Sequence, residues 1–203
     1  MKMKRFTFFI LMLAATVHTV FGQREAKAQV ILDKTAAAYQ KAGGIAITFG
    51  GTQQGTLLLK ESCFYLDCAG IKSWFDGKTQ WAYMEQNNEV SITEPTDTEL
   101  AQVNPMAILS GYKLKSNIRF GKSKSAQNYF VEMTPKQKNN DFTKIEVVVG
   151  KNTGHLVSIK MNLKNGSSMS LTLSNYQKGI KVTDDTFVFN KNKFKGVTIN
   201  DLR

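Results

Sequence analysis

Histidine, cysteine and proline are scarce in this sequence of 203 residues, which contains two, two and three of them. His18 lies in an apolar N-terminal stretch, so the rest of the chain has a single histidine, His155, in a predicted turn. A serine or cysteine nucleophile usually needs a histidine as its base. One histidine and two cysteines also match no zinc-ligand pattern. We therefore expect a protein that is not an enzyme and that holds no metal and no cofactor.

Phosphate-binding loops and catalytic pairs of acids are missing as well. The glycine-rich run at 50–55 precedes a predicted strand rather than a helix, so it does not match a phosphate loop. Asp76, Glu85 and Glu89 lie at predicted hairpin ends, where carboxylates are common without any acid–base chemistry. The chain also has no internal repeat and no low-complexity run.

The two cysteines, Cys63 and Cys68, leave two states open. In an oxidising compartment such a pair usually forms a disulfide. If residues 63–68 form one extended strand, however, the two Cα atoms lie roughly 16 Å apart, far beyond the reach of a disulfide. A disulfide requires a bend near residues 65–67, and the sequence does not decide between the strand and the bend.

The chain begins with the features of a secretory leader. Two lysines and an arginine precede an apolar run, and small residues follow it. The run is too short to span a membrane. We expect cleavage after Gly22, with Ala28 as the alternative. This assigns 1–22 to a signal peptide and 23–203 to one exported domain, and no cysteine follows the run to mark the protein as a lipoprotein itself.

Basic residues outnumber acidic ones. The net charge is +11, and loss of the leader leaves 24 basic and 16 acidic residues, a net charge of +8. Such an excess attracts nucleic acid, anionic lipid or acidic partners. The basic residues form no run and do not alternate with aromatic side chains, and the chain is exported. We therefore expect no nucleic-acid partner.

Most of the chain consists of short segments that alternate apolar and polar residues and are rich in β-branched and aromatic side chains, which is typical of antiparallel strands. Asp76-Gly77 is a predicted type I′ hairpin turn, and Asn87-Asn88 and Asn165-Gly166 are further corners. The pattern predicts about ten strands, at 45–49, 55–60, 63–67, 71–75, 79–84, 89–93, 128–134, 142–150 and two within 155–176, and the segments 186–190 and 194–203 close the chain.

Two helical regions accompany the strands. Between residues 94 and 114, Thr96 or Asp97 caps a helix that Asn104-Pro105 interrupts, and a short turn follows. This insert is either a cover over the sheet or an ordinary crossover helix. An N-terminal amphipathic helix ends at Gly43-Gly44. Its predicted apolar positions are Ala26, Val30, Ile31, Ala37 and Ala38.

The predicted strands carry more one-sided apolar surface than two helical regions easily cover. A sheet of about ten strands, curved by its twist, has a wide concave face. That face either packs tightly as the core of a half-barrel or encloses a cavity for acyl chains or another apolar ligand. The pattern alone leaves both structures open.

Six segments, in order from about Ala28 to Arg203, share motifs with one family. They include a D-G-K-T-x-W-x-Y hairpin within 75–92, a short helix at 103–109, a strand ending in T-P-K at 128–136, and a C-terminal F-x-F followed by a G-V-x-V-x-D-x-R type ending. In these segments the chain resembles the LolA-like periplasmic carriers of outer-membrane lipoproteins.

The resemblance implies a fold and a function. The fold is mainly β with helical cover: a curved antiparallel sheet that forms an incomplete, unclosed β-barrel capped by helices. Its apolar cavity holds the acyl chains of lipoproteins in transit from the inner to the outer membrane. The implied partners are an inner-membrane lipoprotein-releasing complex and an outer-membrane acceptor, and we expect a periplasmic monomer. Burial of acyl methylenes, at about 0.8 kcal/mol each, supplies binding energy without covalent chemistry.

The resemblance and the strand pattern together nominate residues for this site. The expected walls of the acyl-chain cavity are Phe49, Leu57, Leu59, Trp81, Tyr83, Met161, Leu163, Met169 and Leu171. The expected lid comprises Pro105, Met106, Ile108 and Leu109. Flexible methionine side chains suit a wall that adapts to acyl chains of different length.

One departure from the family affects the latch of this lid. In the best-known carriers a G-x-L-x-x-K-R-P strand supplies an arginine that hydrogen-bonds to the lid, whereas here Glu61 and Ser62 stand at the Arg-Pro positions. Lys60 is retained but points to the other face of a regular strand. A latch must be built differently, and cargo other than triacylated lipoprotein becomes conceivable. The alternative function is a periplasmic sensor or interaction module that recognises a lipidated or other apolar ligand on the same scaffold.

We predict that Asp76→Asn leaves the fold and ligand binding nearly unchanged, because asparagine suits a hairpin turn as well as aspartate does. The free energy of unfolding is expected to change by less than about 0.5 kcal/mol. Thermal unfolding and fatty-acid uptake of the variant measure both. Loss of uptake by a folded variant would show that the carboxylate has a functional role.

Overall fold

The computed structural model describes residues 25–122, 125–137 and 141–203, so the predicted signal peptide lies outside the described residues. Among the described residues, no helix combines the length and the apolar character needed to cross a membrane. The strands are β1 (Gly44–Gly51), β2 (Gly55–Lys60), β3 (Cys63–Cys68), β4 (Ile71–Phe75), β5 (Gln80–Met84), β6 (Glu89–Thr93), β7 (Ser116–Phe120), β8 (Asn128–Pro135), β9 (Phe142–Gly150), β10 (Leu156–Leu163), β11 (Ser168–Ile180) and β12 (Thr198–Asp201).

All twelve strands form one sheet, in the order β12-β6-β5-β4-β3-β2-β1-β11-β10-β9-β8-β7. Neighbouring strands are antiparallel except β12 and β6, which run parallel. Because β12 and β7 are the two edges, the sheet is not closed. The predicted fold class, a mainly β protein with an unclosed antiparallel sheet and helical cover, is confirmed. The sequence pattern misses β7, and the closing segment at 186–190 is not a strand.

The N-terminal helix, α1 (residues 25–41), is confirmed, but most of the predicted apolar face is wrong: of its large side chains only Ile31 packs against the core, and it does so partly. Ala26, Val30 and Ala38 are exposed, Val30 by 48%. The buried positions are Ala28, Leu32, Thr35, Ala36 and Tyr39. Alanines occur on every side of this helix and do not define a face, so its two large buried side chains, Leu32 and Tyr39, decide which side packs on the sheet.

Side chains alternate between the two faces of each strand, and we call the face that packs against α1 the inner face. On β2 the inner residues are Leu57 and Leu59, which pair with Leu66 and Phe64 of β3. The same alternation continues across the sheet to β7. One core cluster results; its strand members are Ile45, Ile47, Phe49, Leu57, Leu59, Phe64, Leu66, Cys68, Phe75, Ile118, Val131, Met133, Phe142, Ile145, Val147, Val149, Leu156, Ile159, Met161, Leu171 and Leu173.

The insert between β6 and β7 is helical and kinked, as predicted. It contains α2 (Asp97–Val103), α3 (Pro105–Ala107) and a π-helical turn (Ile108–Tyr112). Thr96 caps α2, and its hydroxyl and backbone N–H exchange hydrogen bonds with Glu99 in a capping box. Asn104 ends α2 and caps α3, because Pro105 cannot continue the preceding helix. We call residues 97–113 the cover.

The predicted corner at Asp76 is a turn, but it is not a type I′ turn. A type I′ turn needs positive φ at both central residues, whereas only Gly77 has one here (+104°). The carboxylate of Asp76 instead accepts the backbone N–H groups of Lys78 and Thr79, at 2.9 and 2.8 Å. Positive φ at two successive residues occurs between β3 and β4, at Ala69 and Gly70 (+51° and +80°).

Candidate functional site

An apolar cavity of about 180 Å³ lies between the inner face and the cover. Its floor comes from β1, β2, β3 and β11, and its roof is the junction of α2 and α3. A few polar groups reach it from the β1–β2 turn. The lining residues are Phe49, Thr52, Gln53, Leu57, Leu66, Cys68, Val103, Pro105, Met169, Leu171 and Leu173.

The floor is shaped by a glycine. Gly55 pairs with Phe49 across β1 and β2, and a Cβ at position 55 would lie 2.7 Å from the Phe49 ring and 2.4 Å from the carbonyl oxygen of Asp67. Because glycine has no side chain, the Phe49 ring has room to lie over the backbone of β2. Leu57 and Leu66, paired on β2 and β3, continue this apolar floor.

The roof is held in place mainly by apolar packing. Ile108 and Leu109 of the cover are fully buried (0% exposed) in the core cluster. Val103 and Pro105 close the cavity at the end of α2. The part of the cover that the cavity touches therefore adjoins a part that is firmly packed.

An ion pair also joins the cover to α1. The ammonium of Lys113, directly after the π-helical turn, contacts the carboxylate of Asp33. Lys113 is largely buried, at 16% side-chain exposure, whereas Asp33 is partly exposed. An ion pair that is partly exposed to solvent contributes only modestly to stability.

The family arginine latch has no counterpart at its expected place. Glu61 lies in the turn after β2, faces a cleft of about 610 Å³ beside the cover, and makes no ion pair with any described residue. Lys60 does point to the opposite face, as predicted: its ammonium lies 2.9 Å from the carboxylate of Asp184, and this hydrogen bond raises the pKa of Lys60. The tie between Asp33 and Lys113 joins the cover to α1 instead of to β2.

The structure brings four of the nine predicted wall residues to this cavity: Phe49, Leu57, Met169 and Leu171. Leu59 and Met161 lie on the same inner face, but they are buried in the packed core away from the cavity lining, and Leu163 packs at the edge of that core. Of the predicted lid residues, Pro105 lines the cavity and Met106 lines the neighbouring cleft. Ile108 and Leu109 pack into the core.

Trp81 and Tyr83 lie on the opposite, outer face, so the prediction that they share a wall with Leu57 is wrong. Trp81 pairs with Trp74, which pairs with Tyr65, and these positions alternate with the inner residues of their strands. The outer cluster is covered by the C-terminal segment: the Phe194 ring lies 4.5 Å from Tyr83 and 5.7 Å from Trp74.

Other lining residues were not nominated from the sequence. Leu66 and Leu173 belong to the same alternating patterns as Leu57 and Leu171, so their strand positions contained the signal. Thr52, Gln53 and Val103 show no such pattern, because their positions follow from how a turn and a helix end meet the sheet.

Cys63 and Cys68 are both free thiols. β3 runs straight through them, so five steps along the strand place the two side chains on opposite faces. Cys68 lines the cavity and its thiol donates to the Gln53 side-chain oxygen at 3.3 Å. Burial raises the pKa of both thiols, which disfavours the nucleophilic thiolate.

The lining of the cavity is mainly apolar. Within residues 25–122, 125–137 and 141–203, no group of three or more His, Cys, Asp or Glu side chains could hold a metal ion. His155 packs against the Tyr176 ring at 4.5 Å, and burial together with the charge of Lys178 lowers its pKa. The lining offers apolar surface, two polar side chains and a thiol with a raised pKa.

Comparison with known sequences decides the family. The profile of the family described as outer membrane lipoprotein carrier protein LolA matches residues 18–167. The chain belongs to the LolA family. The description of that family is that of a carrier. No curated protein matches the chain at a significant level.

Solved structures share the fold of this chain at low sequence identity. An uncharacterized conserved protein from Thermus thermophilus is 12% identical to this chain, with a TM-score of 0.59. The match covers 86% of this chain and 99% of that protein. A DUF1329 family protein from Desulfovibrio piger is 10% identical with a TM-score of 0.50, covering 85% and 99%. At these identities the likeness concerns the fold alone.

We predict that Leu171→Ala destabilises the protein less than Met161→Ala does. Leu171 faces the cavity, so it already lacks packing partners on one side, whereas Met161 is fully enclosed. The packed site is expected to show a loss of about 2–5 kcal/mol, and the cavity site a loss below that range. Chemical denaturation of both variants measures the difference. Equal losses of the packed size at both positions would mean that the cavity is filled in solution.

Proposed function

We propose that this LolA-family protein is a periplasmic carrier that binds acyl chains of lipoproteins in the cavity under its cover and ferries them from the inner to the outer membrane. The observation that carries the proposal is the apolar cavity between Phe49, Leu57 and Leu171 and the α2–α3 junction, in a chain whose family is described as lipoprotein carriers. The partners are an inner-membrane lipoprotein-releasing complex, which donates the cargo, and an outer-membrane acceptor.

The size of the cavity requires the cover to move during loading. At about 180 Å³ it is smaller than the roughly 300–1,000 Å³ of usual small-molecule pockets. Displacing one well-packed cover side chain costs about 2–5 kcal/mol. Burial of each acyl methylene contributes about 0.8 kcal/mol of binding free energy, so about six methylenes offset that cost. An acyl chain is long enough to open its own site.

The composition of the cover suits such a movement. A break at Asn104-Pro105 separates α2 from α3, and a π-helical turn follows, a feature found frequently at functional sites. α2 adjoins the cavity through Val103, whereas Ile108 and Leu109 anchor the other end of the cover in the core. Opening is therefore expected at α2, with the break at Pro105 as the hinge.

We predict that Leu57→Trp weakens uptake of a fluorescent fatty acid at least about tenfold, because the larger ring occupies the cavity floor. Leu58→Trp is the matched control, since its side chain lies on the outer face of the same strand and pairs with Tyr65. Fluorescence titration compares the two variants with the parent protein, and thermal unfolding confirms that both are folded. Equal uptake by all three would rule out this cavity as the acyl site.

The cargo is identified by mass spectrometry of the protein purified from the periplasm. Co-purification of lipopeptide or lipid supports the carrier function. A folded protein that never carries an acylated molecule, even when a lipoprotein is co-expressed, would contradict it.

A further inference from the structure

The outward face of α1 bears a line of lysines. Lys27, Lys34 and Lys41 are spaced by seven residues, so they differ by only about 20° per step around the helix and extend over roughly 21 Å. All three are exposed, on the side away from Leu32 and Tyr39, which pack on the sheet.

Lys178 of β11 and Lys181, just after that strand, lie near the C-terminal end of α1. The backbone N–H of Gly179 donates to the carbonyl of Ala42 at 3.2 Å, which holds the end of β11 beside the end of α1. Lys178 and Lys181 flank this contact and are exposed. We call the five lysines, Lys27, Lys34, Lys41, Lys178 and Lys181, the basic surface.

The charge of the basic surface is not neutralised locally. Within the described parts of the chain, none of its ammonium groups lies within 4 Å of a carboxylate. The acids of α1 lie off the line, Asp33 about 120° and Glu25 about 160° around the helix from Lys27. Asp33 is in addition paired with Lys113.

We propose that the basic surface docks the protein on an anionic lipid bilayer. Three observations favour a bilayer over an acidic protein. The charges are spread along a line and not gathered around a pocket, all of them are lysines with flexible stems instead of arginine forks, and Val30, 48% exposed, lies among them on the same side of α1. A diffuse array of mobile cations with an apolar side chain between them matches a surface of many dispersed headgroups.

The docking is peripheral and electrostatic. The apolar face of α1 is occupied by the sheet, so Leu32 and Tyr39 are not free to insert into lipid. Each lysine near an anionic leaflet contributes about 1 kcal/mol, which corresponds to about fivefold in partitioning. Screening shortens the reach of these charges at high salt, so the association is expected to reverse as salt is raised. The basic surface lies outside the acyl cavity, and the proposal does not depend on the identity of the cargo.

The test is sedimentation of the mature chain with vesicles. We expect binding to vesicles of phosphatidylcholine with about one third phosphatidylglycerol at about 50 mM salt, no binding to pure phosphatidylcholine, and release at about 500 mM salt. The triple variant Lys27→Gln, Lys34→Gln, Lys41→Gln is expected to bind on the order of 100-fold more weakly. Thermal unfolding checks that the exposed substitutions leave the fold intact.

A matched triple variant separates this surface from net charge. Lys160→Gln, Lys164→Gln and Lys193→Gln remove the same charge from exposed positions elsewhere, and binding is expected to stay within about threefold of the parent protein. Equal weakening of both triple variants would overturn the proposal, because a general charge effect would then suffice. Binding of the parent protein to polyglutamate but not to anionic vesicles would also overturn it, in favour of an acidic protein partner.

Discussion

Burial of the sheet's inner face under helices is the interaction on which the rest of the structure depends. Nine of the twelve strands, β1–β4 and β7–β11, contribute to one continuous apolar surface. The sheet cannot cover that surface itself because its edges, β7 and β12, do not meet. α1 covers part of it through Leu32 and Tyr39, and the cover adds Ile108 and Leu109. The cavity lies at the junction of α2 and α3, where helical packing stops short of the floor formed by β1, β2, β3 and β11.

The outer face of the sheet also buries its apolar side chains, but under a different part of the chain. Aromatic side chains on β3, β4 and β5 are covered by the C-terminal segment, whose rings pack on Trp74 and Tyr83 and whose last strand pairs in parallel with β6. The ion pair of Lys60 with Asp184 and the hydrogen bond from the Asn88 side chain to the Lys195 carbonyl join this segment to the sheet. The aromatic cluster therefore stabilises the back of the sheet, while the aliphatic face in front bears the cavity.

Much of this architecture was accessible from the sequence, because strand alternation is a local property. Within single strands, alternation correctly placed Leu57 with Leu59 on one face of β2, and Met169 with Leu171 on one face of β11. It did not relate the faces of different strands, so Trp81 and Tyr83 were assigned to the wrong side; the aromatic residues that cover them come more than a hundred residues later in the chain. Nor did it separate Leu57, at the cavity, from Leu59, in the core, since only the end of α2 makes that difference. The alanine-rich sequence of α1 predicted a helix, but it did not show which face of that helix packs on the sheet.

The central claim is that the cover must move from the cavity for an acyl chain to enter. Cys68 of the floor and a cysteine introduced at Val103 of the roof, in a Cys63→Ser background, place two thiols on opposite walls of the cavity. Joining them with a short, reducible cross-linker and then measuring uptake of an acylated lipopeptide tests the claim directly. The claim predicts that the cross-link blocks uptake and that reduction restores it, whereas protein with Val103 retained and treated with the same reagent shows what modification of Cys68 alone does. Undiminished uptake by the fully cross-linked protein would contradict the claim.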